Sequence, residues 1–162
     1  MSYRKLVLAT GARERFLPFP GWTLRNVMGA GGLQAMVKAG LPIAGKRVVV
    51  AGTGPLLLAA ADYLQKKGAV IPLVAEQTSW SRLLPFGVSL LREPAKLFEA
   101  IQLRNRLRNI LYRASCWPVQ AMGSERVEKV LLRDGGKLRE ETVDYLACGF
   151  HLAPNVELPA LL

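Results

Sequence analysis

The stretch Lys46-Arg47-Val48-Val49-Val50-Ala51-Gly52-Thr53-Gly54-Pro55-Leu56-Leu57-Leu58-Ala59 decides how this chain folds. Val48 to Ala51 is an unbroken apolar run rich in β-branched residues. Such a run suits a central strand of a parallel sheet, covered on both faces. Gly52-Thr53-Gly54 makes a tight turn. Pro55 to Lys67 reads as a helix, with proline in its first turn and Gly68 just past its end. Val70 to Ala75 is a second strand, ending at Glu76. Strand, glycine turn, helix and strand in about 30 residues form one βαβ unit with a right-handed crossover.

Outward from this unit, Leu6 to Ala9 reads as a buried strand ending at Thr10-Gly11. A connector with Pro18, Pro20 and Gly21 follows. Ala30 to Ala39 has helical spacing and stops at Gly40. Thr78 to Glu93 reads as a loop with a short helical piece, and Pro94 to Leu111 as a helix. Arg113 to Met122, Arg126 to Arg133 and Lys137 to Ala147 read as three strands. Gly123-Ser124 and Asp134-Gly135-Gly136 are the turns between them, Asp-Gly being a good hairpin signal. His151 to Leu162 is an irregular tail. The expected fold is α/β: a Rossmann-like three-layer domain with a parallel central sheet and an antiparallel β-meander.

A length of 162 residues allows one domain with a real core and is too short for two full dinucleotide-binding domains. The formal net charge is +10, and much of the excess lies in Arg92, Lys96, Arg104, Arg106, Arg108 and Arg113. One reading of this run is a solvated basic helix face; another is a surface that docks on an acidic partner. Nucleic acid is not expected, because no recognition motif or interleaved aromatics accompany the charge. Cys116 and Cys148 form no CxxC pair, so neither a thiol redox motif nor a cysteine zinc site is expected, and no metal-ligand cluster is legible. A reduced, cytoplasmic setting is the default. The longest apolar stretch, Val48 to Ala61, is interrupted by glycine and proline and is too short to span a bilayer.

The chemistry centres on Gly52-x-Gly54, placed where a dinucleotide fingerprint belongs. The first glycine permits the turn, and the second lets a pyrophosphate approach the backbone. The helix start then offers N–H groups and partial positive charge. Thr53 and Pro55 complete the turn. Glu76, 24 residues beyond Gly52, stands where an acid accepts a ribose 2′-OH and repels a 2′-phosphate, which favours NAD over NADP. Leu57 replaces the third glycine, so a helix standing off the strand is expected. His151, Asp62 and Glu99 read as surface groups. Trp22, Trp80 and Trp117 read as packing anchors, and the two cysteines as core. No catalytic residue is identified.

Leu6-Val7-Leu8-Ala9-Thr10-Gly11-Ala12 resembles the second flavin-domain motif of the pyridine nucleotide-disulfide oxidoreductase superfamily. Three further segments narrow the resemblance: Arg13-Glu14-Arg15 with Pro18-Phe19-Pro20-Gly21-Trp22, Gly52 to Ala59, and Ala147 to Asn155. Together they resemble the large flavoprotein subunits of hydrogen cyanide synthase, opine oxidases and dye-linked amino-acid dehydrogenases. The resemblance implies that Thr10, Gly11 and Ala12 lie near the nucleotide of FAD. It implies that Gly52 and Gly54 mark a second site, for NAD or another adenine nucleotide. Residues 1–24 would be a remnant of an FAD-binding domain and its connector, 25–150 the NAD(P)-type domain, and 151–162 a tail returning toward the FAD domain. Ala59 stands where the reductases often carry a glutamate, and the redox disulfide is absent. The implied function is the nucleotide-binding section of an FAD-dependent oxidoreductase acting on amino acids, opines or related amines. It would be inactive alone and completed by a partner subunit or a separate FAD domain. The alternative is a non-catalytic nucleotide-binding or scaffolding module docking on a partner subunit.

Overall fold

The fully apolar run at the centre of the sequence becomes the central strand. In the computed structural model, which describes residues 4–89, 98, 101–103 and 105–161, Val48–Gly52 (β3) is buried at all five positions. Its neighbours are Tyr145–Gly149 (β9) on one side and Leu73–Glu76 (β4) on the other, both parallel to it. Val27–Gly29 (β2) and Leu111–Ala114 (β5) complete a parallel sheet of order β2-β9-β3-β4-β5.

Strand alternation sends successive side chains to opposite faces, and here each face has its own core. Val48, Val50, Val74 and Ala147 pack under the helices Ala30–Lys38 (α1) and Leu56–Lys66 (α2), with Leu33, Leu57 and Leu64. Val49, Ala51, Leu73, Ala75, Leu146 and Cys148 face the other way, onto Val130 and Leu132 of an antiparallel meander. Its strands are Cys116–Met122 (β6), Lys129–Asp134 (β7) and Lys137–Thr142 (β8). Helices, parallel sheet and meander are the three layers of the expected Rossmann-like fold. A separate two-stranded ribbon pairs Ala12–Glu14 (β1) with Leu152–Pro154 (β10).

The structure corrects several boundaries. Arg113 to Met122 is not one strand. Ser115, with φ 55°, turns the chain out of the parallel sheet and into the meander. Lys137 to Ala147 likewise divides between β8 of the meander and β9 of the central sheet. Thr78 to Glu93 contains a helix of three turns, Trp80–Ser89 (α3). Leu6 to Ala9 forms no strand and is not buried: Val7 is 88% exposed. Among the described residues nothing pairs with that backbone or covers it.

The basic run does not form one helix face. Arg113 lies on β5 and pairs with Asp134 at 3.7 Å, Arg108 lies in a turn, and Arg106 pairs with Asp62 at 3.8 Å. Arg92, Lys96, Glu99 and Arg104 lie outside the described residues. Asp62 also bonds Lys66, so it is a half-buried junction rather than a free surface charge. No helix among the described residues is long and apolar enough to cross a membrane.

Candidate nucleotide site

Parallel strands in register bring their C-terminal ends together. Gly149, Gly52, Glu76 and Ala114 therefore line one edge of the sheet. That edge is where open α/β sheets bind ligands. Gly52 has φ 153°, and a Cβ there would lie 2.1 Å from the Gly149 carbonyl oxygen. The first glycine is thus required by the neighbouring strand. Gly54 differs: its φ of 90° favours glycine, and a Cβ there would meet nothing within 4 Å. The space above Gly54 is open.

Leu57, in place of the third glycine, is fully buried. A Cβ on Gly149 would come within 3.2 Å of Leu57 Cδ2. The small residue that lets helix and sheet approach each other sits here on β9 instead of on the helix.

Glu76 lies at the sequence position expected of it, but its side chain does not open on the crevice. It is 1% exposed. Its Oε1 accepts the Thr53 hydroxyl at 2.9 Å and the Thr78 N–H at 2.8 Å. Its Oε2 accepts the Gly54 N–H at 2.9 Å and the Tyr112 hydroxyl at 3.4 Å. The Thr53 hydroxyl has a single proton, directed at Glu76, so Thr78 donates in the 2.7 Å contact between the two hydroxyls. Trp80 packs tilted against Tyr112 beside this network, with ring centroids 5.8 Å apart and planes at 54°. The turn N–H groups, expected to face an open crevice, are instead used within the fold. Gly54 donates to Glu76, and Thr53 donates from its backbone to Gly149 at 2.9 Å.

Ala12 begins β1 of the ribbon, and Thr10 and Gly11 lead into it. The Thr10 hydroxyl donates to the Asn155 carbonyl at 2.6 Å, and Asn155 Nδ2 returns a bond to the Thr10 carbonyl at 2.9 Å. Asn155 N–H donates to Gly11, whose φ is 68°. Asn155 thereby sets the Thr10-Gly11 turn. In the sequence it stands only as the last residue of a motif, with nothing local to mark this role.

Glu14 is a structural group that the sequence does not announce. Its carboxylate accepts the N–H groups of Gly31 at 2.8 Å and Gly32 at 3.1 Å, at the start of α1. The signal is Gly29-Ala30-Gly31-Gly32, a glycine cluster at a helix start. A Cβ at Gly29 would lie 2.0 Å from Glu14 Oε2.

Trp22 and Trp80, expected as packing anchors, are 39% and 55% exposed, each touching one aromatic neighbour. His151 is exposed, and both cysteines are buried. Burial, then the nearby Asp134, pushes the Cys116 thiol up to about 11. Burial, then Glu14, pushes the Cys148 thiol up to about 12. Trp22 packs on Phe16, ring centroids 5.5 Å apart. On the meander side of the same sheet edge is a cleft of about 240 Å³, lined by Phe19, Trp117, Phe150 and Gln77 among others.

No family model matches the chain. It is 31% identical to hydrogen cyanide synthase subunit HcnB of Pseudomonas protegens, over 98% of this chain and 36% of that protein. It is 35% identical to an opine oxidase subunit of Rhizobium meliloti, over 81% of this chain and 26% of that one. The chain thus spans about a third of the length of the curated relatives it matches. Among solved structures, putidaredoxin reductase in its covalent complex with putidaredoxin aligns over 99% of this chain and 38% of its own, at a TM-score of 0.62 and 25% identity. In sequence the chain is similar to hydrogen cyanide synthase and opine oxidase subunits, and in fold to flavoprotein reductases of the pyridine nucleotide-disulfide oxidoreductase superfamily.

Proposed function

We propose that this chain is the NAD(P)-type section of an FAD-dependent oxidoreductase that acts on amino acids, opines or related amines. The observation that carries the reading is the alignment with HcnB over 98% of the chain. Thr10, Gly11 and Ala12, held by Asn155, would lie beside the nucleotide of FAD. Gly52, Thr53, Gly54 and Pro55, with Glu76 beneath them, would form the edge of a second nucleotide site for NAD or another adenine nucleotide. Residues 1–24 and 151–162 would belong with the FAD-binding part, and residues 25–150 would be the inserted domain. FAD supplies the redox chemistry when bound. This chain's residues orient its nucleotide end and carry no proton transfer in the reading.

A flavin site needs contacts beyond this one turn. Purified by itself, the chain should therefore be colourless and should reduce no dye with glycine, proline or an opine. Joined to the FAD-binding section or partner subunit of its oxidoreductase, it should yield a yellow complex that reduces dye with one of these classes. Stoichiometric flavin on the isolated chain, or a flavin-loaded complex inert toward all of them, would refute the reading.

A second reading, a scaffold without nucleotide chemistry, is favoured by one observation. The Gly54 N–H that would meet a pyrophosphate already has an internal acceptor.

A further inference from the structure

We propose that the outer face of the helix layer is a membrane-docking surface: Lys38, Lys66, Lys67 and Arg106 gather there around Tyr63 and rest on an anionic lipid surface.

These cations are spread along the sequence and meet only through packing. Gln34 of α1 reaches the Ala59 carbonyl of α2 at 3.5 Å. Lys38, one turn beyond Gln34, therefore faces α2 as well. Its ammonium stands 5.4 Å from the centre of the Tyr63 ring, and that of Lys67 stands 5.9 Å from it. The electron-rich ring holds two like charges at one place. Asp62, beside Tyr63 in the chain, takes Lys66 at 2.6 Å and Arg106 at 3.8 Å. Among the described residues no carboxylate pairs with Lys38 or Lys67. Four cations thus gather around one carboxylate, on a chain whose net charge is +10.

Helix ends account for part of the cluster. Lys38 and Lys66 lie in the last turns of α1 and α2, and Lys67 caps the second, where carbonyl groups attract cations. They do not account for Arg106, which comes from another helical segment. α2 starts at the Gly52 edge and runs back along the sheet, so its last turn lies at the opposite edge. A surface docked there leaves the nucleotide edge free.

Composition selects the partner. Protein interfaces deplete lysine and favour arginine and aromatic anchors. Here lysine outnumbers arginine three to one. Lysine is a hydrated point charge on a flexible stem, which suits a diffuse layer of phosphates better than a fixed carboxylate. Apolar groups of the same layer lie uncovered: Phe98 and Ile101, helical residues ahead of Arg106, are 63% and 49% exposed. Leu103 packs against the helix-side core, and Ile101, two positions earlier, points the other way. Cations with exposed phenylalanine and isoleucine match the boundary of an anionic bilayer. Nucleic acid would use the cations and leave the isoleucine in water.

The test is cosedimentation of the whole chain with vesicles, of phosphatidylcholine alone and of a two-to-one mixture with phosphatidylglycerol. Wild type should bind the mixture about tenfold or more tightly than phosphatidylcholine alone. Raising salt from about 0.1 M to about 1 M should reverse most of that gain. One cation near such a surface contributes about fivefold in affinity. Lys38→Gln with Lys67→Gln should therefore weaken binding about twentyfold. Arg133→Gln with Lys137→Gln removes the same charge from the meander, on the opposite layer, and should weaken it less than about twofold. Equal losses in the two double variants would assign the binding to overall charge and overturn the proposal. Equal binding to both vesicle types, or tighter binding to duplex DNA than to the mixed vesicles, overturns it as well. All four side chains are exposed, and thermal melts verify that the variants fold. Should a double variant not fold, Lys67→Gln alone decides: a loss of about fivefold is expected, and no loss overturns the proposal.

Discussion

The two helix starts on this sheet solve one problem in two ways. Neither Gly29 before α1 nor Pro55 before α2 offers a side-chain cap. Each helix start instead receives a glutamate from a strand: Glu14 from β1 onto Gly31 and Gly32, and Glu76 from β4 onto Gly54. Glu14 satisfies N–H groups that a helix start leaves unbonded, whereas Glu76 holds the turn residue just before Pro55. The difference is water. Glu14 is half-buried and its bond to Gly32 is exposed, whereas Glu76 is sealed. The first carboxylate competes with solvent at every moment; the second has none to compete with. The same group is therefore an ordinary cap at α1 and a structural member of the fold at α2.

The largest expected effect comes from the glycine that ends β3, against the neighbouring strand. Gly52→Ala places a methyl 2.1 Å from a backbone oxygen in the middle of the sheet. Neither side can yield, so a loss of about 3 kcal/mol is expected by urea denaturation. A loss under about 1 kcal/mol would show that the sheet edge is looser than this contact implies.

Next is Glu76→Ala, which leaves the Gly54 and Thr78 N–H groups without their acceptor. About 2 kcal/mol of stability should go. The variant should thus be less stable than wild type. A variant as stable as wild type would mean that water replaces Glu76 freely, and the contrast with Glu14 would disappear.

Glu14→Ala should cost about 1 kcal/mol, the loss of one exposed cap. Gly29→Ala is set against the far end of the Glu14 side chain, 2.0 Å away, and that end can swing aside. It should cost about as much as Glu14→Ala, also near 1 kcal/mol. The double variant should cost about as much as either single variant, because the two substitutions break one contact. Additive losses in that cycle would show that Gly29 serves the backbone rather than the carboxylate.

The smallest effect is read in pH. Cys148 in the folded chain titrates at about 12 against a reference of 9.0, for burial first and Glu14 second. A raised folded value means that the thiol's contribution is whole below pH 9 and is lost as pH rises from 9 toward 12. The denaturation midpoint should fall between about pH 8 and about pH 10.5, and fall less in Cys148→Ala. An equal fall in both would assign the effect to other groups.

Much of the fold was legible because periodicity is local. The unbroken apolar run Val48–Ala51 implied a strand covered on both faces, and the structure splits its side chains between two cores. Gly52, Gly54 and Pro55 marked the turn, since each has a backbone property that no neighbour confers. The misreadings have a shared cause. Arg113 to Met122 reads as one strand in composition, and the left-handed Ser115 sends its halves to different sheets. Tyr145 to Gly149 reads as an extension of a meander strand because sheet membership leaves no mark on a short apolar run. Leu6 to Ala9 has a strand's composition, but pairing partners come from elsewhere, and among the described residues none is present.

The candidate site divides in the same way. The sequence alone determined the strand, the glycine turn, the helix behind it and the presence of an acid at the end of the next strand, because these follow from residue type and short spacing. Tertiary structure alone decided what that acid does. Glu76 reaches Gly54 across 22 residues and Glu14 reaches Gly31 across 17. Which N–H a carboxylate meets, and whether water meets it too, depends on strand register and on the side chains packed over it. Thr78, Tyr112 and the room left at Gly149 settle that only once the sheet has closed.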